Sequence, residues 1–369
     1  MTPNIEDFPL TTSHSRERLT EKEYIDYRSQ REEFIQWLIY LGKDPEKAEG
    51  YSRDTIDKTA YRTDQLNRWV WAQEDGYTMA ITHDHAERFM TELLYSEAST
   101  SHKANTQKAL KRFFKYCAHE KNGDIWEPSR SFSSSSGDTG PREYLTSEER
   151  KQIREAALQY GAIPRYNNLT PEERDKWKSH LAQRFGKPKS EVGPEDWDRA
   201  NGWKFTTITW VSLDAGLRPI EVERAKPSWI DIENSVLRIP KEDSAKNKGN
   251  WIVGLTDRTA DALDRWLDER EQYDRYEGRD ELWLTREGNP YQSTSLRRLI
   301  HKLCEIADIP TENRKMSWYA LRHSVGTAMS HERDLAAAKA QLRHKSEQTT
   351  MKYDNVPVEQ RREALERMG

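Results

Sequence analysis

The sequence predicts a mainly α protein with one small antiparallel sheet, an α+β chain in two domains. Three observations carry that expectation. Amphipathic helical periodicity fills most of the first 120 residues and resumes beyond residue 144. Two short runs rich in β-branched and aromatic residues flank a polar stretch, KEDSAKNKGN, which is the pattern of a hairpin. A Ser/Gly-rich segment without apolar periodicity, SRSFSSSSGDTGP (129–141), separates the two helical blocks and reads as a flexible linker.

Residues 1–20 show no periodicity and read as a mobile N-terminal arm. YIDYRSQREEFIQWLIYL then places Tyr27, Phe34, Trp37, Leu38 and Leu41 on one stripe, as an amphipathic helix does. SRDTIDKTAYRTDQLNRWVWAQ follows with Ser52 as candidate N-cap, and THDHAERFMTELLYSE with Thr82 or Asp84. HKANTQKALKRFFKYCAHE closes the block, with Leu110, Phe113, Phe114 and Cys117 facing inward and Lys108, Arg112 and Lys115 sharing the outer face. The first domain is therefore expected over 21–128, the linker over 129–143 and the second domain over 144–369.

In the second domain LTSEERKQIREAALQYG opens a helix, and Thr146 with Glu149 fits a capping box. Residues 161–201, polar but holding Trp177 and Trp197, read as an inserted helical excursion. WKFTTITWVSLDAG is a buried helix ending at Gly216. SWIDI, SVLRIP and NWIVGL read as strands, the last two joined through a long polar tip. Helices at DRTADALDRWLDEREQY, STSLRRLIHKLCEIA and SWYALRHSVGTAMS follow, and NVPVEQRREALERMG ends the sequence as a short charged helix.

Composition narrows the function classes. Charged residues make up 33% of the chain, yet 13 Trp and 16 Tyr argue against disorder, which depletes aromatics. No stretch approaches the ~18 apolar residues of a membrane span, and the first residues lack the apolar core of a secretory signal. The expectation is a soluble, cytoplasmic protein with no membrane partner. Two cysteines, Cys117 and Cys304, support neither a disulfide framework nor a cysteine zinc site, and both sit among apolar neighbours as small buried hydrophobes. A net charge of −4 does not announce a nucleic-acid partner, but distribution matters more than total. Between Ser101 and Lys121 stand Lys103, Lys108, Lys111, Arg112, Lys115 and Lys121 against one acid, Glu120.

Four stretches concentrate chemistry: AGLRPIEVE (215–223), KEDSAKNKGNWIVGL (241–255), YALRH (319–323) and LRHKSEQTTMKY (342–353). In their order and spacing they resemble the catalytic domain of the tyrosine recombinase, or phage integrase, family. The resemblance covers roughly 144–360, and the helical block before it resembles the family's SAM-like core-binding domain. It implies a site-specific recombinase, an enzyme that cleaves and rejoins DNA through a 3′-phosphotyrosyl link, for integration or excision of a mobile element or resolution of replicons. Its partners would be double-stranded DNA and copies of itself: a monomer or dimer when free, a tetramer on paired sites, associated with the nucleoid.

The residue roles follow from the same resemblance. Tyr353 is the nucleophile. Arg218 and Arg322 grip the scissile phosphate, a task suited to a planar fork that never loses its charge. Arg218 falls between Gly216, a plausible helix stop, and Pro219, a favoured first helical residue, so it sits at a helix-to-helix elbow. Glu221 lies one turn on and is placed to orient it. His344 comes twenty-two residues after Arg322 and nine before Tyr353, and bonds the phosphate. A lysine on the hairpin tip protonates the leaving 5′-oxygen; counting back from Leu255 favours Lys246 over Lys248 and Lys241. The arginines supply the positive charge, so neither a metal nor another cofactor is expected. The chain departs from the family's His-x-x-Arg pattern by placing Tyr319 first. Tyr319 can donate a hydrogen bond to the phosphate, but a phenol (pKa ~10) does not take protons near neutral pH as imidazole does. His323 is expected to point elsewhere on the helix as a structural residue. Lys108, Lys111, Arg112 and Lys115 are the candidate DNA contacts of the helical domain. The tail from Asn355 is expected to dock on a neighbouring protomer. A type IB topoisomerase and a non-catalytic DNA-binding relative are the rival readings.

Overall fold

In the computed structural model the chain divides into two units, Met1–Gly140 and Pro141–Gly369. It describes residues 4–132, 143–161, 163–200, 202–244, 249–344, 346–353 and 358–368.

The first unit is helical: α1 (Ser13–Arg16), α2 (Glu21–Tyr40), α3 (Arg53–Gln73), α4 (His83–Tyr95) and α5 (Thr100–Glu120). Most of the anticipated apolar stripe enters its core, while Tyr27 packs apart from it with Leu19 and Trp71. Phe34, Trp37 and Leu38 of α2 pack with Leu66 and Val70 of α3 and with Leu110, Phe113 and Phe114 of α5. Thr82 rather than Asp84 caps α4, its hydroxyl accepting from the His85 N–H. Ser52 stands at the N-cap of α3, but its hydroxyl meets that of Thr55 instead of the backbone.

The mobile arm expected over 1–20 is corrected from residue 4 onward. Buried Asp64 of α3 accepts from the hydroxyls of Thr12, Ser15 and Tyr27. Arg31 donates to the Leu10 carbonyl, and Phe8 joins the core. A buried carboxylate needs donors, and the arm supplies two of them. Burial alone would raise the Asp64 carboxyl, but the hydrogen bonds from Ser15 and Tyr27, with Arg31 nearby, outweigh it and hold it below the ordinary range. The packing also runs past the expected start of the linker. Ser129 bonds Glu87, Gln107 donates to the Arg130 carbonyl, and Phe132 lies against the core. The rest of the linker, to residue 142, lies outside the described residues.

The second unit opens with α6 (Ser147–Gln159), whose capping box between Thr146 and Glu149 forms as expected. The excursion over 161–201 contains α7 (Pro171–Phe185) and α8 (Pro194–Arg199), which bury Trp177 and Trp197 in a small core of their own. Then come α9 (Lys204–Ala215), α10 (Pro219–Glu223), strands β1 (Ile230–Asp231), β2 (Val236–Ile239) and β3 (Trp251–Gly254), α11 (Asp257–Arg270), α12 (Ser293–Ile306), α13 (Tyr319–Glu332), α14 (Leu335–Gln341), α15 (Glu347–Thr350), a 3-10 turn at Met351–Tyr353, and α16 (Val358–Met368). The sheet is antiparallel in the order β1-β2-β3, with Leu237 opposite Val253. The main core buries α9 between α6, α11 and α13. Cys304 lies in that core, and Cys117 is half-buried. Among the described residues no helix is long and apolar enough to cross a membrane.

Candidate active site

The site is built on the C-terminal end of α9. A helix leaves its last carbonyls without partners, and these must be met from outside. Here Arg150 of α6 donates to Leu213 O, Gln341 of α14 to Asp214 O, Arg343 to Ala215 O, and both Arg322 of α13 and Arg343 to Gly216 O. Three helices and the turn that follows α14 converge on one turn of backbone, and cations at a helix C-terminus also suit its dipole. Gly216 stops the helix at φ +56°, and a Cβ there would sit 2.6 Å from a Leu342 methyl, so glycine meets both demands.

Arg218 leaves this stop as the N-cap of α10, with Pro219 following as the first helical residue. Its backbone N–H donates to one Glu221 oxygen at 2.8 Å and its guanidinium to the other at 2.9 Å. Glu221 is buried and is shared: Arg343 donates to it at 2.7 Å. Burial alone would raise the Glu221 carboxyl, but Arg343, then Arg218 and Arg322, outweigh it and hold it at about 2. The same burial pulls Arg322 down to about 9, with Arg218 and Arg343 adding to the effect. Three guanidiniums thus surround one carboxylate in a desolvated place, an excess of positive charge suited to an anion.

Arg322 also donates to the Leu342 carbonyl and, at 3.0 Å, to His344 Nε2. Guanidinium has no acceptor. His344 Nε2 must therefore accept, which puts the ring proton on Nδ1, 3.1 Å from Thr350 Oγ1.

Tyr353 ends the 3-10 turn and is only 3% exposed. Its ring packs with Val325 and Leu342, and lies parallel to that of His344, centroids 5.8 Å apart. Gly326 of α13 makes this approach possible, because a Cβ there would lie 2.7 Å from the tyrosine ring. Ser330 of α13 donates to the Tyr353 carbonyl at 2.9 Å. The Tyr353 hydroxyl lies 3.0 Å from His323 Nδ1. The expectation that His323 points elsewhere is thus corrected: positions 322 and 323 diverge around the helix, Arg322 toward His344 and His323 toward the tyrosine. Tyr319 opens α13, is 43% exposed, and stacks on His323 at 6.1 Å.

Arg218, Glu221, Arg322, His344 and Tyr353 therefore come together. Lys246 and Lys248 lie outside the described residues. Lys241 is at the exposed base of the hairpin, its N–H bonded to Asn250 Oδ1 at 2.8 Å. Arg343, Gly326 and Ser330 escaped sequence reasoning. A glycine inside a helical pattern is a sequence sign of close packing; Arg343 offers no such sign, since its backbone is left-handed at φ +58°, where glycine is the usual residue.

In the first unit Lys108 and Lys111 are exposed, whereas Arg112 and Lys115 turn back onto the fold. Arg112 donates to Thr59 of α3 at 3.1 Å and lies over the Tyr51 ring; Lys115 donates to the Gly42 and Lys43 carbonyls just beyond α2. The expected outer face of Lys108, Arg112 and Lys115 is corrected in that respect: long cationic stems cover neighbouring surface and seek backbone acceptors. Arg62 of α3 joins the patch, its basicity lowered by burial and by Arg112.

Residues 199–360 match the family model described as the phage integrase family. No curated protein matches the chain. Among solved structures, the XerH site-specific recombinase bound to palindromic difH substrate, in a post-cleavage complex, aligns with a TM-score of 0.57 at 16% identity, covering 98% of this chain and 91% of that one. The Tn1549 transposon integrase in complex with transposon right end DNA aligns at 0.51 and 15% identity, covering 90% and 99%. A lambda integrase dimer bound to a COC′ core site aligns at 0.50 and 14% identity, covering 87% and 76%. At such identities the likeness is one of fold.

Proposed function

We propose that this chain, a DNA-cleaving and DNA-rejoining enzyme by the phage integrase family domain it carries, performs site-specific recombination with Tyr353 as nucleophile. The observation that carries the reading is the meeting of Arg218, Arg322, His344 and Tyr353, contributed by separate segments, around a desolvated surplus of positive charge. Arg218 and Arg322 bracket the non-bridging oxygens of the scissile phosphate, and Glu221 holds them in register before DNA arrives. His344 holds Arg322 in place through its Nε2, and bonds the same phosphate only after that nitrogen has taken a proton and given up the arginine contact. The Tyr353 oxygen attacks phosphorus, leaving a 3′-phosphotyrosine and a free 5′-hydroxyl. A hairpin lysine, Lys246 ahead of Lys248 and Lys241, protonates the departing oxygen. Because Tyr353 packs on α13 of its own chain, it acts on a phosphate held by that chain. The phosphotyrosyl link conserves the phosphodiester bond energy, so religation requires no nucleotide cofactor.

The helical unit, read as the core-binding domain (21–128), supplies phosphate contacts through Lys108 and Lys111, with Arg62, Arg112 and Lys115 behind them. Recombination joins two duplexes, and the proposed assembly is a tetramer on paired sites, acting in the cytoplasm at the nucleoid. The tail supports this. All the side chains of α16 that the structure describes are exposed, including Leu365 at 66% and Met368 at 83%. A second copy would cover that surface.

The test is covalent capture. A pool of nicked duplexes with randomised cores, selected for attachment to the purified protein, should yield a cleavable sequence. On it the wild type should form a protein–DNA adduct, while Tyr353→Phe binds equally well and forms none. An adduct in the Phe variant sinks Tyr353 as nucleophile. A plasmid carrying two copies of the selected site should recombine; relaxation of supercoils without recombinants favours the topoisomerase reading instead.

A further inference from the structure

Attack by Tyr353 leaves the phenol proton without a destination. We infer that His323 receives it, on the geometry of the two side chains and on Tyr353 being the nucleophile.

His323 Nδ1 and the Tyr353 hydroxyl are 3.0 Å apart, within the range over which a proton is handed between partners. Both ends of the contact are fixed. His323 lies inside α13, one residue after Arg322, which is tied to the Gly216 and Leu342 carbonyls. Tyr353 is held on the same helix by Ser330 and seated against Gly326.

The other nearby imidazole is already engaged. His344 Nε2 accepts from Arg322, and its Nδ1 pairs with Thr350. Its ring is parallel to the Tyr353 ring within 13°, so the two meet through their faces. Tyr319, at the position where the resembling family has histidine, sits one helical turn before His323, and the two rings stack at an interplanar angle of 28°. The imidazole missing from position 319 is thus replaced one turn along the same face of α13. The His323 ring meets Tyr319 of its own helix and Tyr353 of the 3-10 turn, with His344 across the tyrosine ring and Arg322 one residue back.

His323 begins neutral, with its proton on Nε2 and the Nδ1 lone pair toward Tyr353. As the tyrosine oxygen bonds to phosphorus, its proton passes to Nδ1, and His323 becomes imidazolium. The bond from phosphorus to the 5′-oxygen breaks, and that oxygen takes a proton from the hairpin lysine. In religation the 5′-hydroxyl gives its proton back to the hairpin lysine as it attacks, the bond between phosphorus and the tyrosine oxygen breaks, and His323 returns its proton to the phenol. One side chain serves as base in the cut and as acid in the rejoining.

The experiment uses the full chain and the nicked duplex selected above, in single turnover. His323→Asn keeps a hydrogen-bonding atom near Nδ1 but accepts no proton. It should bind the duplex as the wild type does and form adduct ~100- to 10,000-fold more slowly. The wild-type rate should rise with pH through the histidine range, ~6.5, and level off; in His323→Asn that limb should vanish and the rate should keep climbing with hydroxide. A duplex with sulfur in place of the bridging 5′-oxygen needs no proton on its leaving group. The His323→Asn defect should persist on it, whereas the defect of a hairpin-lysine variant should disappear. Adduct formation at close to the wild-type rate with the limb intact overturns the inference, as does rescue by the sulfur substrate. If the Asn variant folds poorly, the wild-type profile alone decides, because a flat profile between pH 5 and 8 is incompatible with an imidazole base. Failure of the wild type to attach through Tyr353 would count against the nucleophile, a result distinct from any of these.

Discussion

On α5 of the first unit Lys108 and Lys111 stand in solvent, and Arg112 and Lys115 are held by a few bonds to neighbouring helices. In the second unit Arg218, Arg322 and Arg343 are gathered around Glu221, and the last two are bonded at once to backbone carbonyls of a helix end. The difference matches what each cluster would bind in the proposed reaction. An exposed cation attracts any phosphate at almost no folding cost and fixes little geometry. A buried guanidinium is costly to desolvate, and its orientation is set before the substrate arrives. The first arrangement suits tethering along a duplex, the second suits a single reacting phosphate.

The comparison breaks most visibly at Arg343, which touches neither Tyr353 nor His344 in the described contacts. Arg343→Ala leaves Glu221 charged and buried with one partner fewer, and should destabilise the protein by roughly 3–5 kcal/mol in denaturant melts. Arg343→Met combined with Glu221→Gln should recover much of the loss, because the desolvated charge goes with its partner. The pH dependence has a definite sign. Glu221 is held at about 2, below the ordinary carboxylate value of 4.5, so its contribution is complete above pH 4.5 and is lost as pH falls toward 2. In Glu221→Gln this part of the acid unfolding should be missing. If Arg343→Ala melts like the wild type, the cluster is not a mutually dependent unit and the contrast with α5 loses its energetic basis.

Next in size is the fork itself. Arg218→Lys keeps the charge and loses the second prong, so single-turnover adduct formation should fall ~100- to 1,000-fold, about 2.7–4 kcal/mol of barrier, with duplex affinity nearly unchanged. A rate near that of the wild type would mean that a point charge suffices, as on α5.

Why some of this was legible in the sequence and some was not is a matter of range. The helices, the sheet strands and the Gly216-to-Pro219 elbow rest on local chemistry: periodicity, caps, a left-handed stop and a proline at the next helical start. The roles of Arg218, Arg322, His344 and Tyr353 rested on resemblance, and the fold brings those residues together. What escaped depends on contacts between distant segments. Neighbouring positions on one helix do not reveal that Arg322 turns to His344 while His323 turns to Tyr353. The residues of 1–20 look unstructured until Asp64, about fifty residues later, is seen to be buried and to take two of its hydrogen bonds from Thr12 and Ser15. A helical wheel puts Lys108, Arg112 and Lys115 on one face, but whether a long side chain points to solvent or folds back depends on which carbonyls its neighbours leave open.

That last distinction gives the smallest predicted effect. Lys108 and Lys111 have no folding role in the described contacts, so Lys108→Ala with Lys111→Ala should leave the melting profile unchanged. The plot of log affinity against log salt should flatten by ~0.9 for each phosphate that the variant no longer neutralises. Arg112→Ala with Lys115→Ala should behave differently, because those side chains hold α5 to Thr59 and to the end of α2. Each hydrogen bond from a charged donor contributes ~1.5–3 kcal/mol when its partner is buried and less when solvent reaches it, so a modest loss of stability should accompany any loss of binding. Filter binding from low to high salt, run beside thermal melts of both double variants, separates the two pairs. If the Lys108 and Lys111 pair leaves the salt slope where it was, this face of α5 is solvated surface, and the duplex is held by another part of the helical unit.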